Sequence, residues 1–103
     1  MFLYGAKPEV VRQAAGIIGE RYGCLVCGAA DGFSGAGPEA IASQAAAARP
    51  DIVLVALGDP LQEEWIAAHA GPTGAALTIG VGALFDFLAG AVPRAAADAA
   101  AAA

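Results

Sequence analysis

The chain has 103 residues, room for one small domain, and 58% of them are hydrophobic. Alanine accounts for 29 residues, so the usable core is smaller than that percentage suggests, because alanine buries little area. Five Lys and Arg against ten Asp and Glu give a net charge of −5, which excludes a cationic surface for nucleic acid or for anionic lipid.

FLYG (2–5) is apolar and reads as a strand. No charged leader precedes it, so no secretory signal is read and a cytoplasmic setting is expected. Pro8 opens a helix to about Tyr22, with Val10, Val11, Ala14, Ile17 and Ile18 at helical spacing, and Gly23 ends it. CLVCG (24–28) is the second expected strand. A strand there would put Cys24 and Cys27 on opposite faces, as two mostly buried, inert and unbridged thiols. No second cysteine pair completes a zinc site.

AADGFSGAG (29–37) is a Gly-rich loop, and Pro38 opens a second helix to about Ala48 before Arg49-Pro50. DIVLVAL (51–57) is continuous, β-branched and apolar, as suits a strand covered on both faces. Asp59 is placed to cap and Pro60 to start the next helix, which should end near Ala70-Gly71. AALTIGV (75–81) is a fourth strand, Gly82 a turn, and ALFDFLAG (83–90) a short helix with Leu84, Phe87 and Leu88 inward. GAALTIGVGALFDFLAGAV is weakly polar, but Asp86 and its glycines argue against a membrane span. From Ala95 the chain is alanine-rich and is expected to be frayed or irregular.

The order β-α-β-α-β-α-β-α predicts an α/β fold, a Rossmann-like parallel sheet of alternating β-α units. Four strands are few for an open sheet, so an incomplete, half-domain architecture is expected: residues 1–94 form the α/β part and 95–103 an Ala-rich tail. An unfinished sheet edge would also favour homo-oligomers.

In such sheets, ligands bind beyond the carboxyl ends of the strands. All four ends carry glycine: Gly5-Ala6-Lys7, Gly28 to Gly37, Gly58-Asp59 and Gly80-Val81-Gly82. Gly58 and Gly82 would let backbone approach a ligand closely. Gln62 and Glu63 open the helix after the third strand, where an amide suits a base edge or phosphate oxygen and a carboxylate suits sugar hydroxyls. Glu64 is sufficiently explained by the helix dipole, and Trp65 by core packing. Asp86 sits in an apolar segment one turn past Gly82 and could take a ribose hydroxyl pair or a base N–H. Arg94 is a candidate diphosphate partner, and His69 reads as a helix C-terminal cation. The Gly-x-Gly at 80–82 is a weak dinucleotide match, because Phe85 stands where a third glycine is needed.

GDPLQEEW and IGVGALFDFLAGAVPRA resemble two motifs of the WecG/TagA/CpsF glycosyltransferases, Gly-x-Pro-x-Gln-Glu-x-Trp and Gly-Val-Gly-x-x-Phe-Asp-x-x-x-Gly…Arg-Ala. FLYGAKPEVV and ADGFSG resemble that family's first strand-turn-helix and its aromatic loop. The resemblance implies an inverting enzyme that moves a hexose or N-acetylhexosamine from a UDP-sugar donor to a polyprenyl-diphosphate-linked acceptor, for cell-surface polysaccharide or teichoic acid, at the inner face of the cytoplasmic membrane. It implies that Gln62 and Asp86 line the UDP site, with Glu63 beside them and Phe33 near the uracil. It implies no cofactor or metal. The family's proposed catalytic Asp and its membrane-reaching C-terminal segment have no match here, so no residue is assigned as catalytic. The expectation is a donor-binding half, inactive alone, whose membrane association would need segments absent from this sequence. A plain nucleotide-binding module and a non-catalytic interaction fragment are the alternatives.

Overall fold

The computed structural model describes residues 1–33, 35 and 37–90. Arg94, the boundary at residue 95 and the alanine-rich tail lie outside the described residues. The elements run β1 (Phe2–Gly5), α1 (Pro8–Tyr22), β2 (Gly28–Ala30), α2 (Pro38–Ala48), β3 (Ile52–Ala56), α3 (Leu61–Thr73), β4 (Leu77–Gly80) and α4 (Leu84–Ala89). All strand pairs are parallel, and the sheet order is β2-β1-β3-β4.

Alternation along the strands splits the core into two layers. Phe2, Tyr4, Val53 and Val55 face α2 and α3, meeting Ile41 and Trp65. Leu3, Leu54 and Ala56 face α1 and α4, meeting Val10, Ala14, Ile18 and Phe85. Helix α1 starts on Pro8, buries Val10, Val11, Ala14 and Ile18, and ends on left-handed Gly23, whose N–H donates to the Ile18 carbonyl. Trp65 is core, as expected: its ring meets Tyr4 edge-on with centroids 5.1 Å apart, and its Nε1–H donates to the Pro38 carbonyl at 3.1 Å.

Several expectations need correction. The second strand is Gly28–Ala30, not 24–28. Phe2 pairs with Gly28, where a Cβ would come within 2.9 Å of the Phe2 ring, so the small Gly-Ala-Ala segment is what fits beside β1. Residues 24–27 belong to no regular element, and the Cys27 N–H donates to the Met1 carbonyl at 2.9 Å. Cys24 is half-buried against the α1 layer and Cys27 is exposed, so the thiols are free but not both buried. Helix α3 starts on Leu61 with Pro60 at its cap position, so Asp59 provides no side-chain cap. It also runs on through Pro72 to Thr73. The Thr73 hydroxyl donates to the Ala70 carbonyl and accepts from the Ala75 N–H, closing the helix beyond the end expected near Ala70-Gly71. In α4 it is Phe85, not Phe87, that is fully buried. The helix is one short turn and a half, and its orientation is set by the α1 layer that Phe85 enters.

Strand β4 forms the sheet edge opposite β2, and its Leu77 and Ile79 side chains are exposed. Among the described residues, no helix is long and apolar enough to cross a membrane.

Candidate functional site

With the order 2-1-3-4, the chain leaves β1 and β3 in opposite directions along the sheet, which makes their carboxyl ends the topological switch point. Two backbone features open a crevice there. Gly5 has φ +133° and Ala6 has φ +64°, so β1 turns sharply away from β3. The Ala6 carbonyl then accepts the Gly32 N–H at 2.8 Å, which draws the loop after β2 toward the same point. Asp31 shapes that loop by accepting the Phe33 N–H at 2.8 Å.

The resulting cavity, about 420 Å³, gathers residues from all four strand ends. Four of the residues singled out in the sequence line it: Phe33 from the β2 loop, Gly58 after β3, and Gly82 and Asp86 after β4. Phe33 projects there with 69% of its surface exposed, an unusual cost for an unpartnered aromatic ring. Lys7, which the sequence reading passed over, also lines the cavity, and it is the only cationic side chain to do so among the described residues. Its signal was its place, directly after a βα turn and before the Pro that starts the next helix.

Gln62 is placed differently. It is buried, and it is not among the lining residues. Its Oε1 accepts the Gly58 N–H at 3.2 Å and the Gly82 N–H at 3.0 Å, and its Nε2 donates to Glu63 Oε1 at 3.1 Å. Glu63 is exposed beside it, with the Asp59 carboxyl as its neighbour. Hydrogen bonding with Glu63, and then its negative charge, hold Asp59 above the usual carboxylate range. Glu63 is held below its own by the bonds from Asp59 and Gln62. On acidification the pair should therefore take its first proton on Asp59. A carboxyl-carbon NMR titration checks this, and Glu63 protonating first would contradict the geometry. By linkage, Asp59 favours the folded chain at low pH and loses that contribution as pH rises through its raised pKa, whereas Glu63 contributes above the ordinary Glu pKa and loses it on acidification.

A second cavity of about 300 Å³ lies against the α2–α3 layer and shares Gly32, Leu57 and Leu61 with the first. Trp65, His69 and Glu64 contribute to it. His69 is not the helix C-terminal cation expected, because α3 continues to Thr73. Its ring lies against Trp65 instead, with centroids 5.6 Å apart. No three His, Cys, Asp or Glu side chains converge as a metal cage among the described residues.

Comparison with known proteins gives a consistent picture. Residues 1–99 match the glycosyl transferase WecG/TagA/CpsF family. The chain is 38% identical over 96 residues to an N-acetylglucosaminyldiphosphoundecaprenol N-acetyl-beta-D-mannosaminyltransferase of Bacillus subtilis (strain 168). It is 33% identical over 95 residues to the protein of the same description in Staphylococcus aureus (strain NCTC 8325 / PS 47). Each match covers 92% of this chain and 37% of the relative, so the chain spans little more than a third of the length of the curated relatives it matches.

Proposed function

The chain belongs to the WecG/TagA/CpsF glycosyltransferase family, and on that premise we propose that residues 1–90 form the donor-recognition wall of a transferase moving an N-acetylhexosamine from UDP to a polyprenyl-diphosphate-linked sugar. The observation that carries this reading is the single crevice at the switch point in which Phe33, Lys7 and Asp86 meet between two glycine turns. Each has a role fitted to a nucleoside diphosphate. The exposed Phe33 ring offers a stacking face to the uracil. The Lys7 ammonium neutralises the diphosphate. The Asp86 carboxylate accepts from ribose hydroxyls or a base N–H. Gly58 and Gly82 let the ligand lie close against the backbone. Glu63, beside the crevice and kept ionised by its neighbours, is available to sugar hydroxyls.

The relatives' names describe acceptors that carry a sugar on a diphosphate lipid, and the same acceptor class is proposed for the protein of which this wall is part. The proposed role of these residues is to hold the donor, with transfer completed by groups outside the crevice described here. A cytoplasmic setting follows from the same reading, since nucleotide sugars are cytoplasmic donors.

Calorimetry with UDP, UDP-N-acetylhexosamines and NAD tests the proposal. UDP and its sugars should bind and NAD should not. Lys7→Ala and Asp86→Ala should each weaken UDP by about ten- to a hundredfold, the loss of one charge-assisted hydrogen bond. Glu64→Ala should leave UDP affinity unchanged, because Glu64 does not line the crevice and belongs to the neighbouring cavity with Trp65 and His69. Equal losses from all three variants, or tighter binding of NAD than of UDP, would overturn the reading.

A further inference from the structure

The two glycine turns flooring the crevice are the obvious backbone donors for a phosphate, yet both N–H groups are already spent. Gly58 and Gly82 are 24 residues apart and end different strands, with φ of +78° and +57°. Their N–H groups converge on one atom, Gln62 Oε1, at 3.2 and 3.0 Å. Gln62 itself is 7% exposed, and its Nε2 is taken by Glu63. Space has been left for it: a Cβ on Gly80 would sit 2.9 Å from Gln62 Nε2 and 3.0 Å from its Cδ. The Oε1 atom, with both lone pairs taken by the glycine N–H groups, cannot accept from a ligand without first breaking one of these bonds.

We propose that Gln62 is a positioning residue rather than a ligand. Its side-chain oxygen ties the β3–α3 turn to the β4–α4 turn and so fixes where Asp86 stands relative to Gly58. It also turns both glycine N–H groups into the protein, so that an anionic diphosphate in the crevice is left to Lys7 and not to the glycine turns. The clamp stands on the geometry alone; its consequence for the ligand rests on the donor-binding reading above.

Amide hydrogen exchange on the free, full-length chain tests the clamp without any ligand. The Gly58 and Gly82 amides should exchange slowly, although both lie in turns. Gln62→Leu keeps the bulk and removes the acceptor. It should speed exchange at both glycines by at least about tenfold while the Val53 and Val55 strand amides stay protected. The double change Gln62→Glu with Glu63→Gln keeps an acceptor oxygen, a neighbouring donor and the net charge, and should restore slow exchange at both. UDP affinity should follow: about tenfold weaker in Gln62→Leu and within about threefold of the parent in the double variant. Fast exchange at either glycine in the parent chain overturns the clamp. So does slow exchange in the parent that Gln62→Leu leaves unchanged. A double variant that recovers slow glycine exchange but not UDP affinity shows that Gln62 contacts the ligand directly, and overturns the positioning role. If the parent chain binds no UDP at all, the donor reading fails, and the exchange rates still decide the clamp.

Discussion

Gly5→Ala should cost the chain its cooperative fold. A Cβ at Gly5 would collide with the Ala56 carbonyl oxygen and fall 2.6 Å from its carbon and 3.0 Å from the Ala56 Cα. These are backbone atoms of β3, paired with Gly5 in the centre of the sheet, and they cannot rotate away as a side chain would. The φ of +133° adds strain that an L residue rarely accepts. The β1–β3 pair must therefore separate, and that pair carries both core layers. A loss above about 4 kcal/mol is expected, of the same order as the whole stability of a small domain. Gly16→Ala is the matched control. That glycine lies on the exposed face of α1 with no heavy atom within 4 Å of a Cβ, so alanine there should stabilise by about 0.5–1 kcal/mol. Thermal melts followed by circular dichroism read both. A Gly5→Ala chain melting within a few degrees of the parent would mean that β1 does not approach β3 this closely.

Trp65→Ala should be nearly as damaging, by about 3–5 kcal/mol, through the cavity it leaves. Trp65 is 4% exposed and joins three elements: its own α3, Tyr4 of β1 through the edge-on ring contact, and the start of α2 through the Pro38 carbonyl. Few large side chains are available to fill the gap, since α2 buries two alanines and a single isoleucine. Trp65→Phe retains most of the ring and loses the Nε1–H bond, so it should cost about 1 kcal/mol beyond the smaller volume change. Urea titration with unchanged slope distinguishes the two. A Trp65→Ala loss no larger than that of Trp65→Phe would show that the ring is not packed between these elements.

The crevice was half legible in the sequence. Glycine at every strand end, and Asp86 isolated in an apolar run, are local oddities that a reader of the chain can find. Phe33, Gly58, Gly82 and Asp86 do line one cavity. Lys7 is marked in the sequence only by its place between a βα turn and the Pro that starts a helix, and that place alone does not tell a crevice lysine from a solvated one. Gln62 stands out in the sequence as an amide suited to a base edge or phosphate oxygen, but the direction of its side chain, inward onto the Gly58 and Gly82 N–H groups, is not encoded locally. The i, i+3 and i+4 pattern of α3 places Gln62 between Leu61 and Trp65, and nothing in that spacing says that the exposed member would be Leu61.

The sequence by itself determined the number and type of elements and their alternation. The spacing of apolar residues, the prolines at helix starts and the glycines at turns are properties of short segments, and α1 and α2 begin and end where those signals stand. Tertiary structure decided everything that depends on which segments meet. The order 2-1-3-4 placed the switch point between β1 and β3. Phe2 admitted Gly28–Ala30 beside it in place of the more apolar Cys-Leu-Val-Cys run. The α1 layer selected Phe85 over Phe87. Two N–H groups from distant turns turned Gln62 inward. In each case the deciding term is steric fit or hydrogen-bond satisfaction between residues far apart in the chain, and local spacing does not encode such partners.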